Sequence, residues 1–422
     1  MDKTIPLETT AANHQKMEDY DPNSMPVAKA RAFIRNFLEP VAHTETVPLH
    51  ACLGRVLATD ILSPNNVPNY DNSAMDGYAL HAADLDATSL KVVGTAFAGK
   101  AFSGALNRGE CVRIMTGAAI PQGADTVVMQ EKVRVNSDSI DLLESPKPHA
   151  NLRYAGEDLR AGQVVLSKGH LIRGADLGLI ASLGFAEVNT YRKLKVAIFS
   201  TGDELVKLGS PLQTGQVYDS NRYSLIGMLQ RLGVELIDFG TIGDDPIMLE
   251  KTLLAASTQA DVVITSGGVS VGEADFMKQL LVQHGQVLFW KIAMKPGRPL
   301  AYGKVGNAHY FGLPGNPVAV VVTFYQFVRD ALITLMGAYP KPLPTFHVEC
   351  TQAIKKAAGR TEFQRGILYE ENGVWKVKPT GAQGSSILSS MSQANCFIVL
   401  DEATSHLNEG SMVCVQVLDG II

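Results

Sequence analysis

Residues 194 to about 335 alternate short apolar runs with amphipathic runs, and this alternation constrains the fold more than any other feature of the chain. The runs "KVAIFS", "VELIDFGTI" and "DVVITS" predict buried strands, and each is followed by a stretch with helical spacing. Repeated β-α units form a mostly parallel sheet, whose ligands bind at the carboxyl ends of the strands. The segment therefore predicts an α/β domain with a binding site along one edge of its sheet.

The rest of the chain divides around this α/β segment. A chain of 422 residues exceeds the roughly 250–300 residues at which one hydrophobic core stops growing, so several domains are expected. Short runs between Gly, Pro and Asn predict a β-rich domain inserted between two helical patterns. The predicted division is a disordered tail (1–22), a helical domain I (23–60 with 160–193), an inserted β-rich domain II (61–159), the α/β domain III (194–342) and a C-terminal β domain IV (343–422).

Composition argues against several classes of protein. The hydrophobic fraction of 46% and the charged fraction of 19% are typical of a globular protein, and a formal net charge of −5 argues against nucleic-acid binding. No apolar run approaches the ~20 residues that span a bilayer, and the polar N-terminus lacks the apolar core of a secretory signal. The five cysteines are widely spaced and odd in number, which predicts reduced thiols and a cytoplasmic location.

A glycine-rich turn follows the third predicted strand in "TSGGVSVGEADF". Glycines let backbone N–H groups converge on one point, hydroxyls add donors, and the next helix begins with a partial positive charge. The predicted anion-binding residues of this turn are Ser266, Gly267, Gly268, Ser270 and Gly272. A tight βα turn that needs glycine only for its geometry is the alternative, and the motif alone leaves both open. No Gly-Lys-Ser/Thr follows, so the turn is not a Walker A loop.

Basic residues concentrate later in the same segment. No Asp or Glu occurs between Asp275 and Asp330, and the tightest basic cluster is "KIAMKPGRP", with Lys291, Lys295 and Arg298. Cations held on a Pro-Gly turn suit a phosphate or another oxyanion. A solvated basic face is the alternative, although a surface stretch normally mixes both signs of charge.

Carboxylates follow the predicted strands. Because strand ends meet at one edge of a parallel sheet, these acids would repel one another unless a hard cation such as Mg²⁺ lay among them. The acids concerned are Asp203, Glu204, Asp219, Asp244, Asp245 and Asp275. Asp219 could instead cap the helix "SNRYSLIGMLQRLG", for which Ser220 and Asn221 are the other candidate caps. For the set as a whole, we predict a divalent metal that bridges to the bound phosphate.

Two further motifs have no role that the pattern alone can assign. "DNSAMDGYAL" places Asp76 in a polar turn, and "GRTEFQRG" places Arg360 and Arg365 on a predicted strand. Together with the motifs above and with "TGAAIPQGADTVVMQE", "LRYAGED", "STGDEL", "GLPGNPV" and "QGSSIL", they occur in one order from residue 73 to about 388.

These ordered motifs closely resemble the molybdopterin molybdotransferases of the MoeA type, which include the E domain of gephyrin. Ala319 departs from the pattern, because many relatives have Ser there. The resemblance implies an L-shaped homodimer of four-domain chains, with dimerisation through domain I, a central MogA-like domain III and a C-terminal β-barrel-like domain IV. It also implies that the protein inserts molybdenum from molybdate into adenylylated molybdopterin, with Mg²⁺, and releases AMP and molybdenum cofactor. Other proteins of the pathway are possible partners.

The resemblance also assigns roles to single residues. It implies that the catalytic polar set is Asp76, Thr116, Asp158, Glu204, Asp244 and Asp275. Within this set, we predict that Glu204, Asp244 and Asp275 hold the Mg²⁺ ion. It places Arg153, Lys291, Lys295, Pro314, Pro317, Arg365 and Ser385 at the substrate, with Arg365 and Ser385 contacting an oxyanion such as molybdate. Two alternatives stay open: an adenylyltransferase that uses ATP on molybdopterin, and a non-catalytic scaffold.

Overall fold

The structure is a computed structural model that describes residues 25–267 and 274–418, without the side chains of residues 274–276, 278, 289 and 290. Residues 25–193 form small sheets and two short helices. Their elements are α1 (Val27–Arg35), β1 (Thr44–Pro48), β2 (Ile61–Leu62), β3 (Asn72–Ser73), β4 (Gly77–Leu80), β5 (Leu90–Ala96), β6 (Glu110–Ile114), β7 (Thr126–Met129), β8 (Val133–Val135), β9 (Ser139–Leu142), β10 (Leu152–Arg153), β11 (Val164–Leu166), α2 (Gly174–Ser182) and β12 (Glu187–Tyr191). A six-stranded sheet in the order β7-β4-β6-β5-β9-β8 is the core of the inserted β-rich region.

The elements from β13 onward include the predicted α/β unit. Its elements are β13 (Lys195–Thr201), β14 (Leu205–Val206), β15 (Val217–Tyr218), α3 (Ser220–Arg231), β16 (Glu235–Ile242), α4 (Pro246–Gln259), β17 (Val262–Ser266), α5 (Ala274–His284), β18 (Gly285–Lys291), β19 (Met294–Lys295), β20 (Pro299–Val305), β21 (Ala308–Leu313), α6 (Pro317–Thr323) and α7 (Arg329–Leu335). The main sheet has the order β16-β13-β17-β21-β20-β18. Strands β16, β13, β17 and β21 are mutually parallel, and β20 and β18 add an antiparallel edge. The mostly parallel sheet is confirmed.

Helices cover both faces of this sheet. Leu225 and Leu229 of α3 pack in one core with α6 and α7, and Leu249 and Leu253 of α4 pack in a second core with α5. Because both faces of β17 are covered, all five of its residues are buried, as the continuous apolar run "VVITS" predicts. Helix α1 also packs on this unit, with Ala30 and its neighbours in the α3 core.

The segment Pro317–Leu335 forms a helix in the core between the α/β sheet and the C-terminal domain. It is helical over 19 residues, with a π-helical turn at Phe324–Val328, and it is long and apolar enough to cross a membrane by length and composition. It is 72% buried inside the protein, because it packs between the α/β sheet and the C-terminal domain. Its apolar residues are therefore those of a buried core helix.

The remaining residues form a closed β structure. Its elements are β22 (Thr345–Cys350), β23 (Thr361–Glu371), β24 (Val374–Pro379), α8 (Leu388–Gln393), β25 (Cys396–Leu400) and β26 (Met412–Val417). The strands run β23-β24-β22-β26-β25, and β25 pairs back with β23 to close a barrel. Strand β19 of the α/β unit pairs with β23 and so links the two units. The multidomain fold class is confirmed, while the domain boundaries stay a prediction.

Candidate active site

A cleft of about 540 Å³ lies between the α/β unit and the barrel. Loops after β13, β16, β17 and β21 line one side, and the β19–β20 turn and barrel loops line the other. These loops follow the carboxyl ends of parallel strands, where the sequence predicts a site. The predicted residues that line the cleft are Glu204, Asp244, Gly267, Lys295, Arg298, Pro314 and Ser385.

The acidic wall comes from the loops after β13 and β16. Gly202 has φ +143, and a Cβ there would lie 2.3 Å from Oε2 of Glu204, so only glycine lets this side chain fold back over the loop. The amide N–H of Asp244 donates to Oδ1 of Asp203 at 2.9 Å, and that of Asp203 donates to Oδ2 of Asp244 at 3.4 Å. These reciprocal bonds fix the two loops, so the carboxylates of Glu204 and Asp244 share one wall.

The basic wall is built where the chain leaves the main sheet. Strand β18 ends at Lys291, and β19 then carries Lys295 to the edge of the barrel beside β23. The Nζ atom of Lys295 lies 3.4 Å from Oε1 of Glu362, and half of its side chain stays exposed to the cleft. Gly297 has φ +93, and a Cβ there would lie 2.6 Å from Cγ2 of Thr323. The tight turn between Lys295 and Arg298 therefore needs glycine.

Two more of the predicted acids, Asp219 and Asp245, cap helices. Asp219 is buried and accepts hydrogen bonds from the amide of Arg222 and from the hydroxyls of Ser200 and Thr241, so it caps α3 in place of Ser220 or Asn221. Asp245 accepts from the amide of Ile247 and caps α4. The capping alternative is therefore correct for Asp219.

A carboxamide ties two cleft loops together. Nδ2 of Asn221 donates to Oγ of Ser266 at 2.8 Å and to the carbonyl of Gly315 at 2.6 Å. Ser266 is buried at the end of β17, so its hydroxyl supports the loop and does not face the cleft. Pro317 begins α6 directly behind the turn that contains Pro314.

The barrel contributes Arg360, Gln383, Gly384 and Ser385 to the cleft. Arg365, a predicted contact of the oxyanion, does not line the cleft, because its side chain is buried behind this wall. Its guanidinium donates to the carbonyls of residues 382, 383 and 384 and to Oγ of Ser390. Burial lowers the pKa of Arg365 from its usual value. Arg360, which precedes β23, is the arginine of this motif that reaches the cleft.

The predicted residues of the inserted region form a separate exposed group. Oδ1 of Asp76 accepts from the amide and from the hydroxyl of Thr116, both at 2.7 Å. These bonds, the backbone one first, hold the pKa of Asp76 below its ordinary value. Arg153 lies on β10 beside β3, and Asp158 is exposed after it. Within the described chain, no residue of 61–159 lines the cleft.

Several predicted residues lie outside what the structure describes or outside the cleft. Gly268, Ser270 and Gly272 fall outside the described residues, as does the side chain of Asp275, whose backbone lies in α5. Lys291 is exposed but does not line the cavity. Among the described residues, no three His, Cys, Asp or Glu side chains cluster as metal ligands. The acidic pair Glu204 and Asp244 is thus the described part of the predicted magnesium site.

Comparison with known families covers most of the chain. Residues 25–184 match the MoeA N-terminal region (domain I and II), 197–334 match a probable molybdopterin binding domain, and 347–418 match the MoeA C-terminal region (domain IV). A molybdopterin molybdenumtransferase of Haemophilus influenzae is 48% identical over 92% of this chain and 97% of its own length. The chain belongs to the MoeA family of molybdopterin molybdenumtransferases. It is therefore an enzyme of the final step of molybdenum cofactor biosynthesis.

Other MoeA relatives agree in sequence and in structure. A molybdopterin molybdenumtransferase of Nostoc is 37% identical over 90% of this chain and 89% of the relative. Gephyrin of Dictyostelium discoideum is 34% identical over 90% of this chain and 59% of gephyrin. The crystal structure of the molybdopterin biosynthesis MoeA protein of Pyrococcus horikoshii superposes with a TM-score of 0.81 at 31% identity, covering 94% of this chain and all of that chain. The predicted resemblance to this family is confirmed.

Some cleft residues of this MoeA chain were not predicted. The motif pattern assigns no role to Arg360, and it gives no signal for Asn316, Gln383 and Gly384, which also line the cleft. Ala319, the departure from the family pattern, lies buried at the cleft wall. A signal for Arg360 does exist, because it stands at the turn before β23 while Arg365 stands inside the strand.

Proposed function

We propose that the cleft binds adenylylated molybdopterin together with molybdate, and that the enzyme releases AMP as molybdenum enters the dithiolene. One observation carries this proposal: Glu204 and Asp244 line the same cleft as Lys295 and Arg298. A mixed wall of this kind suits a polyanionic substrate with a bound cation, because the acids alone would repel a phosphate. Molybdenum is substrate here. The two dithiolene thiols bond to molybdenum, and one oxygen of molybdate leaves as water with their protons. A second water cleaves the phosphoanhydride, so no protein nucleophile is required.

The acidic pair fits Mg²⁺ as a cofactor. Its donors are carboxylate oxygens on loops that the Asp203–Asp244 hydrogen bonds hold in place, and Mg²⁺ usually takes one or two carboxylates along with substrate phosphates. Glu204 and Asp244 would hold the ion, with Asp275 as the predicted third ligand. When bound, Mg²⁺ would neutralise charge at the phosphoanhydride.

The basic residues stabilise the products that carry negative charge. Lys295 and Arg298 lie on a rigid turn, so they neutralise the charge that develops as AMP leaves. Lys291 lies at the end of β18 and adds to the positive potential near this turn. Ser385 and Arg360, on the barrel side, are the proposed contacts of the molybdate oxyanion.

The active form in this proposal is a homodimer. Asp76, Thr116, Arg153 and Asp158 are exposed polar residues that do not line the cleft of their own described chain. A second copy could bring the same group against the cleft through a two-fold interface. The free cysteines favour a cytoplasmic location. Exchange of substrate and product with other proteins of the pathway is part of the same proposal.

Substitution of the acidic pair tests the proposal. We expect Glu204→Gln and Asp244→Asn to lower AMP release from adenylylated molybdopterin in the presence of molybdate at least about a hundredfold. Chromatography of AMP gives the rate, and circular dichroism checks the fold. Glu235→Gln, an exposed acid on the edge strand β16, is the matched control and should retain activity.

A second arm of the same assay distinguishes molybdenum insertion from adenylylation of molybdopterin with ATP. The unaltered enzyme, given ATP and molybdopterin without molybdate, should form no adenylylated product. Formation of that product, or full AMP release by Glu204→Gln, would contradict the proposed reaction.

A further inference from the structure

Arg365 is a buried cation without a carboxylate partner among the described residues. Only 1% of its surface is exposed, and no salt bridge to it is present in the described chain. Its guanidinium instead donates to three successive carbonyls, those of Ala382 at 3.0 Å, Gln383 at 3.1 Å and Gly384 at 2.9 Å. Burying a charge is costly unless it is both hydrogen-bonded and paired with an opposite charge. Arg365 is hydrogen-bonded but has no paired carboxylate among the described residues, so its burial needs an explanation beyond packing.

The three carbonyls determine where the next amides point. In a trans peptide, the C=O of one residue and the N–H of the next lie on opposite sides. Since the carbonyls of residues 382–384 point at the guanidinium, the N–H groups of Gln383, Gly384 and Ser385 point away from it. All three of these residues line the cleft. None of their amides donates a hydrogen bond to another residue in the described ranges.

We infer that Arg365 is a positioning residue that builds an oxyanion-binding nest from the backbone amides of Gln383, Gly384 and Ser385. Successive N–H groups that face one point form an anion-binding concavity, and the buried positive charge behind them strengthens it. The inference rests on the proposed function, because it places molybdate against this wall. Arg365 then acts on molybdate through the loop of residues 382–385 and does not contact the oxyanion itself.

Only arginine satisfies this geometry. A guanidinium has five N–H donors in one plane, so it can hold three carbonyls and Oγ of Ser390 at once. Lysine offers three donors on a single atom and cannot span the same loop. The side chain of Gln383 secures the loop from the other direction, because its Oε1 accepts from the amide of Arg365 at 2.8 Å.

Direct binding of molybdate tests the nest. Titration calorimetry of the full-length protein with molybdate alone, and with sulfate as a second tetrahedral dianion, gives the dissociation constants. We expect Arg365→Met to weaken molybdate binding at least about tenfold, and Arg365→Lys to weaken it less, because the misplaced amides lose hydrogen bonds to the oxyanion. In turnover, the KM for molybdate should rise more than kcat falls.

Two further variants keep the test decisive if Arg365→Met does not fold. Ser390→Ala removes the acceptor of Nε without touching the cleft, and it should weaken molybdate binding about threefold. Arg55→Gln removes another buried arginine, bonded to Glu45 and to the carbonyl of Tyr191, and it should leave molybdate binding unchanged.

The outcomes separate this inference from the proposed function. If the unaltered protein binds molybdate and the folded Arg365 and Ser390 variants bind it equally well, the nest is wrong and the proposed reaction stands. If the unaltered protein binds neither molybdate nor sulfate, the barrel wall is not an oxyanion site and both proposals fail.

Discussion

Single side chains among the predicted site residues are held in place by short-range hydrogen bonds. Asp76 shows this clearly, because its ionised form is stabilised by two bonds from Thr116 although the side chain is exposed. Arg365 shows the opposite case, since its charge is buried and its bonds go to carbonyls. The same residue type thus faces the cleft at position 360 and holds a loop at position 365.

We predict that the hydroxyl of Thr116 contributes to the lowered pKa of Asp76. A folded-state pKa below the unfolded value means that ionised Asp76 stabilises the fold above the ordinary Asp pKa and loses this effect as the pH falls. Thr116→Val removes the hydroxyl donor and keeps the amide, so the pKa of Asp76 should rise part of the way toward its ordinary value. Carboxyl NMR titration measures it. Thr258→Val, on α4, should leave the pKa unchanged, and an unshifted pKa in Thr116→Val would contradict the role of the hydroxyl.

Among the elements, the long helix over Pro317–Leu335 joins three parts of the chain. Its π-helical turn places the buried Gln326 between α1 and β26. The side chain of Gln326 accepts from Arg31 and donates to Oε1 of Gln416 at 2.8 Å, while its carbonyl accepts from Nε of Arg31 at 2.9 Å. A π turn supplies the extra residue that aims this carboxamide at both neighbours.

Loss of this polar link should destabilise the protein. Gln326→Leu keeps the volume approximately but leaves donors of Arg31 and an acceptor of Gln416 without their partner, which costs about 1–3 kcal/mol. Urea unfolding followed by fluorescence gives the free energy of unfolding. Gln259→Leu, exposed at the end of α4, is the control. An equal stability of the two variants would show that the link contributes nothing.

At the scale of the whole molecule, the proposed reaction needs groups that one chain does not bring together. The cleft lies between the α/β unit and the barrel, while Asp76 lies in the inserted region. In the proposed homodimer, two-fold pairing would place each cleft opposite the partner's copy of that region, and both sites would then be equivalent.

Complementation between two inactive variants tests this arrangement. Asp76→Ala and Glu204→Gln should each be inactive alone. A mixture that is unfolded and refolded together should recover about a quarter of the activity, because half of the dimers are mixed and each has one intact site. Refolding each variant separately before mixing is the control. No recovery in a mixture with proven mixed dimers would mean that Asp76 acts within its own chain.

Much of this architecture could be predicted from local pattern. The continuous apolar runs of β13 and β17 could only be buried strands, and the glycines and acids after them could only lie at the strand ends. Lys295 and Arg298, on either side of a Pro-Gly turn, both line the cleft, while their binding of an anion stays a prediction. In each case the signal lies within a few residues, where backbone geometry and burial period determine the outcome.

Tertiary structure alone decided how the side chains are used. The sequence by itself determined the strand-and-helix order, the site edge and the signs of charge, because these depend on residues close in the chain. It could not show that Asp219 caps a helix, that Arg365 is buried or that Arg360 reaches the cleft. Those outcomes depend on which loops the barrel and the α/β sheet bring together, and contacts between residues far apart in the chain leave no periodic signal.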